Sequence, residues 1–95
     1  MTVCLEIKIL GYRTPQRYSL RRTVQAALPE LERRHPGLQA HIHEVRELEQ
    51  ILRYTAVLVL PALVINEQLV CAGRFPRKEE VAAWLQSAVE ALEKP

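Results

Sequence analysis

Apolar residues in this chain recur with two different periods in turn, and the order of those periods constrains the fold more than any other feature. Val3, Leu5, Ile7 and Ile9 alternate with Cys4, Glu6 and Lys8, the pattern of a half-buried strand, which Gly11 ends. Leu20, Val24, Ala27, Leu28 and Leu31 then recur at helical spacing, with Arg17, Arg21, Arg22 and Gln25 on other faces. Thr14 offers this helix an N-cap hydroxyl, and Pro15 has the fixed φ suited to a first helical position. Pro29 either kinks the helix or starts a fresh turn, and His35-Pro36-Gly37 closes it. Leu38, Ala40 and Ile42 alternate with Gln39, His41 and His43 as a second short strand. Val45, Leu48, Ile51 and Leu52 return to helical spacing, ending near Tyr54. Beyond Val57–Leu60 and Pro61, Ala62–Ile65 reads as a third strand. Asn66-Glu67 reads as a tight turn without the usual glycine, and Gln68–Ala72 as the returning strand, ended by Gly73. From Arg77 onward Val81, Trp84, Leu85, Ala88, Val89 and Leu92 keep strict helical spacing.

The order is therefore βαβαββα. A right-handed β-α-β unit followed by a hairpin and a closing helix gives an α/β domain with a mixed four-stranded sheet, expected order 2-1-3-4, and helices on both faces. Its 95 residues suffice for one domain, residues 1–95, with one core. The two cysteines have no framework spacing, so no disulfide-stapled secreted domain is expected. The start Met-Thr-Val-Cys-Leu-Glu lacks the basic-then-apolar pattern of a signal peptide. The longest apolar run, Ala56 to Ile65, is too short to span a bilayer, so no membrane role and a reducing, cytoplasmic setting are expected. Net charge is +2, with seven Lys/Arg against three Glu in residues 1–40 and six against eight in residues 41–95. So small an excess points to solvated helix faces, and no nucleic-acid partner is expected.

Pro61-Ala62-Leu63-Val64-Ile65-Asn66, followed by Gly73, Pro76 and Glu79-Glu80, resembles the C-terminal half of the small redox-active disulfide proteins, a family of thioredoxin- or glutaredoxin-sized single domains. The resemblance extends over essentially the whole chain, since the first strand, Gly11 and the helix starting at Pro15 fall where that family has them. It implies a thioredoxin-like fold and a cis peptide bond before Pro61. The family's two active-site cysteines map onto Thr14 and Arg17, within Thr14-Pro15-Gln16-Arg17, and neither side chain can do thiolate chemistry. Leu60 stands where the family commonly has Thr, Arg77 where it has a helix-capping Ser, and Glu67 where it has a turn glycine.

Each candidate site has a plain structural reading beside its functional one. Thr14 and Arg17 at a helix start could hold an anion or a glutathione-like ligand; equally, Thr14 is a cap and Arg17 a solvated side chain. Cys4 and Cys71, on strands separated by another strand, are too far apart for a disulfide, and each reads as a small apolar filler or an isolated thiol, with Cys71 on the edge strand the more reachable of the two. His41 and His43 project from one face of a strand, a two-ligand metal platform that Glu44 or His35 would have to complete. Tyr12, Arg13 and the apolar run Val57–Leu60 fall, on the resemblance, beside the proline, where a partner peptide pairs as an added strand. The other reading of that run is that it folds inward and extends the core.

The expected function is a redox-inactive thioredoxin-like module that binds a protein partner or a second copy. Its groove would be formed by Tyr12, Thr14, Arg17, Val59, Leu60 and Pro61, with no catalytic residue, cofactor or metal. The alternative is a thiol-disulfide or glutathione-dependent oxidoreductase using Cys71 or the Thr14/Arg17 helix end. Metal binding at His41/His43 is the third reading.

Overall fold

A computed structural model describes residues 3–93. Its elements are β1 (Val3–Leu10), α1 (Thr14–Arg34), β2 (Leu38–Val45), α2 (Leu48–Ile51), a 3₁₀ turn (Val57–Val59), β3 (Ala62–Ile65), β4 (Gln68–Ala72) and α3 (Lys78–Glu93). The strands form one sheet in the order β2-β1-β3-β4, with β1 parallel to β2 and the pairs β1/β3 and β3/β4 antiparallel. The period-two alternation of β1 puts Val3, Leu5, Ile7 and Ile9 on one face. There they form the main core with Leu20, Val24, Leu28 and Leu31 of α1 and with Val81, Leu85 and Val89 of α3. The opposite face is covered only at one end, where Leu10, Val45, Ala62 and Val64 meet Ile51, Tyr54 and Leu60.

Three local expectations are corrected. Thr14 is the first helical residue, not the cap: Arg13 precedes the helix in extended geometry and no side chain caps it, which puts Pro15 at the second position. Pro29 neither ends α1 nor restarts it, because its missing N–H falls above the exposed Gln25, whose carbonyl can turn to water. The second helix is a single turn. Val45 belongs to β2, whose register with β1 runs unbroken to Leu10↔Val45, so a ladder bond wins over helical spacing there. The β3–β4 turn places Asn66 and Glu67 at φ 49° and 68°, the left-handed pair a two-residue hairpin requires. Glu67 accepts that geometry while its carboxylate meets the Lys8 ammonium at 2.6 Å and the Tyr54 hydroxyl at 2.6 Å. This cluster pins the hairpin across the open face of the sheet.

Candidate binding groove

The register of the sheet sets the floor of the groove. Leu10 pairs with Ala62 and Ala62 with Ala72, so the next residues along, Gly11, Pro61 and Gly73, fall in one row across the strand ends. The Gly73 amide donates to the Pro61 carbonyl at 2.9 Å, and the Leu60–Pro61 peptide is cis. Gly73 has φ +81°, and a Cβ added to it would meet the Val59 backbone at 3.8 Å. Two residues without side chains thus flank the proline, and the rim rises from the residues beyond them. Leu58 is 94% exposed, Phe75 53% and Tyr12 45%, with Val59 also exposed and Leu60 half-buried. The C=O of Leu60 has no hydrogen-bond partner among the described residues. Among the described side chains of the run, the inward-folding reading holds for Leu60 alone, while Leu58 and Val59 face solvent; the Val57 side chain lies outside the described residues.

Arg17 is not a solvated side chain. It is 6% exposed, the single charged residue among the buried set of described residues. Its Nη1 donates to the carbonyls of Gly11 and Tyr12, each at 2.9 Å, its Nη2 to the Thr14 hydroxyl at 3.2 Å, and its Nε to Glu44 at 3.1 Å. Four bonds engage four of the five guanidinium hydrogens. The turn from β1 into α1 is thereby clamped by the residue standing where the resemblance places a cysteine. The charge is neutralised by Glu44, whose carboxyl lies below the usual carboxylate range because Arg21 and then Arg17 hydrogen-bond it. Thr14 acts as an acceptor inside this clamp. Arg17 spends its charge on Glu44 and on the turn, so the anion-pocket reading loses the cation it needs, and Thr14 keeps only its hydroxyl hydrogen for a ligand.

Cys71 is a buried filler of the core, but the expected order of access is reversed: Cys4 is the exposed thiol and Cys71 the buried one. Cys71 turns toward the helix-covered face beside Leu63, its register partner, while Cys4 lies on the open face, which α2 is too short to reach. Burial pushes the Cys71 thiol up, with Arg74 opposing and Glu80 adding to the shift. Its Sγ sits 3.8 Å from the Arg74 carbonyl. An edge strand was taken to mean access, but α3 covers that edge. On opposite faces, the two thiols cannot be bridged.

His41 and His43 are exposed on the open face, and His43 meets Glu6 at 2.9 Å instead of a third ligand. Among the described residues no group of three or more His, Cys or Glu converges as a metal site. A hollow of about 530 Å³ between α1 and the start of α3, lined by Tyr18, Arg22, Arg77 and Lys78, includes none of the groove residues. Among the described residues no helix is long and apolar enough to cross a membrane.

Three contributors escaped the sequence reading. Glu44 shares the parity of Leu38, Ala40 and Ile42, so a carboxylate at a helix-facing position was the available signal for Arg17's partner. Phe75 is a large apolar residue in the loop beside Gly73, the only signal it gives. Glu80 holds the Phe75 loop: its carboxylate takes two bonds from Arg74, at 3.0 and 2.6 Å, and one from the Arg77 amide at 3.0 Å. The last of these is half of a capping box.

The element order, the sheet order and a helix-start turn opposite a cis-proline define the class, an α/β domain of thioredoxin fold. A family profile described as Thioredoxin domain matches residues 5–86, and the chain belongs to that family. No curated protein matches the chain significantly.

Proposed function

We propose that this thioredoxin-like domain is redox-inactive and works by capturing an extended segment of a protein partner in the groove beside Pro61, in a reducing cytoplasmic setting. The observation that carries the reading is the Leu58–Leu60 loop. It presents the almost wholly exposed Leu58 two residues before Leu60, whose backbone carbonyl has no partner among the described residues. An extended segment pairing with Leu60 would satisfy that carbonyl and lay alternate side chains against Tyr12, Val59 and Phe75. Burying exposed apolar surface at about 25 cal/mol per Å² would supply the driving force. The Arg17 clamp supports the same reading, since it fixes the turn that forms one wall.

The oxidoreductase alternative has less support: Cys71 is buried with a raised thiol pKa, and Arg17 is committed to internal partners. Partner capture together with light-scattering size analysis tests the proposal, comparing the native chain with Leu58→Glu and Leu60→Glu. Loss of captured protein in both variants, with the size of the free chain unchanged, is the expected result. A capture profile that neither substitution changes would sink it.

A further inference from the structure

We propose that two copies of this chain pair through β2, joining their sheets into one of eight strands, on a surface separate from the groove. The Gly37 carbonyl accepts from Val3 and the Val45 carbonyl from Gly11, so the odd-numbered residues of β2 turn their backbone groups toward β1. Ala40, Ile42 and Glu44 therefore turn their N–H and C=O groups outward, along an edge with no partner among the described residues. Edge strands are normally guarded by Pro, Lys, bulges or brevity. β2 has none of these: it runs eight residues without Pro, Lys or Gly and in unshifted register with β1. The other edge, β4, has five residues and a register shift.

A two-fold antiparallel pairing sets residues of the same face opposite one another, so its axis must pass beside a residue. Centred on His41, it brings Ala40 opposite Ile42 of the second copy, and both carry outward backbone groups that can exchange two hydrogen bonds per pair. On the helix side these two half-buried residues would cover each other, while Gln39 meets His43 on the open side. Centred on Ile42 instead, Ala40 would face a carboxylate, Glu44.

The helix layer fits a centre at His41 or Ile42, and the strand pairing chooses between them. Arg21, Gln25, Leu28 and Glu32 follow one stripe of α1 on its β2 side, where Arg21 bonds Glu44 at 2.6 Å. Glu32 is exposed, and among the described residues it has no ionic partner. It lies about 16 Å from Arg21 along the helix, which corresponds to about five residues of strand. As Arg21 is level with Glu44, Glu32 is level with Gln39, and the midpoint falls between His41 and Ile42. A two-fold axis at His41 thus sets Arg21 of each copy against Glu32 of the other.

Sedimentation of the native chain, of Ala40→Pro and of a cysteine reporter tests this. The proline removes an outward N–H and leaves the β1 ladder intact. The native chain is expected to dimerise at micromolar concentration, and Ala40→Pro to weaken this at least about tenfold with an unchanged circular dichroism spectrum. His41→Cys in a Cys4→Ser background should cross-link on mild oxidation, because facing non-hydrogen-bonded residues have Cα atoms about 4.5 Å apart, within disulfide reach. A monomer at all concentrations overturns the proposal, as does a His41→Cys chain that forms no covalent dimer. A dimer lost in Leu58→Glu but kept in Ala40→Pro also overturns it, and assigns dimerisation to the groove. If Ala40→Pro fails to fold, the cross-link alone decides.

Discussion

Replacing Arg17 with methionine isolates the clamp, because methionine keeps the buried unbranched stem and removes every donor. The Gly11 carbonyl then loses its Arg17 bond inside a buried residue, which costs about 1–3 kcal/mol. The Tyr12 carbonyl and the Thr14 hydroxyl lie nearer the surface and can take water instead. Glu44 keeps Arg21, so the lost pair with Arg17 adds only about 0.5–1 kcal/mol. The sum is about 1.5–4 kcal/mol. In a domain of this size each kcal/mol lowers the melting temperature by about 4–8 °C, so a drop of roughly 6–32 °C is expected. Urea unfolding gives the free energy, and hydrogen exchange should show faster opening of residues 11–17 at denaturant concentrations where the core remains protected. Arg17→Lys should fall between the two, since an ammonium cannot reach both carbonyls and Glu44 in one plane. A methionine variant within about 0.5 kcal/mol of the native chain would refute the idea that this side chain holds the turn.

Thr14→Cys with Arg17→Cys should give a pair that oxidises to a disulfide, since residues three apart on a helix have Cβ atoms about 5–6 Å apart and modest adjustment closes the bridge. Thiol counting checks it, and the reduced form should be destabilised about as much as Arg17→Met. Gly73→Ala should cost about 1–2 kcal/mol by urea unfolding, entirely from its φ of +81°, because the nearest atom to an added Cβ is an ordinary 3.8 Å away. The Glu80 carboxyl is held at about 2 by Arg74 first and the Arg77 amide second. A carboxyl whose folded value is depressed adds stability above its unfolded value near 4.5, and that stability is lost as pH falls toward about 2. Glu80→Gln should therefore lower stability at neutral pH and flatten its decline between those limits, as acid-dependent urea titrations would register.

The sheet order and the main core were legible because the two apolar periods are clean in β1, α1 and α3, where one face of each is buried. The α2 region was not. Val45, Leu48 and Ile51 fit a helix by spacing, but the strand ladder reaches Val45 first, a long-range contact that no local window contains. The site divided in the same way. Pro61 and the exposed loop followed from the resemblance and from apolar composition. The roles of Thr14 and Arg17 did not, because they depend on Glu44, which approaches from the far end of β2. Cys71 was misjudged for a related reason: strand position says which residues lie at an edge, while α3 decides whether that edge is open.

On the proposed function, this scaffold keeps the turn and the proline of a redox site and uses them for binding in place of thiol chemistry. Reduction of insulin disulfides, followed with dithiothreitol as the electron source, tests it most directly. The account predicts a rate no higher than the reductant alone, for the native chain and for Cys71→Ser alike. A catalysed rate that Cys71→Ser abolishes would contradict it.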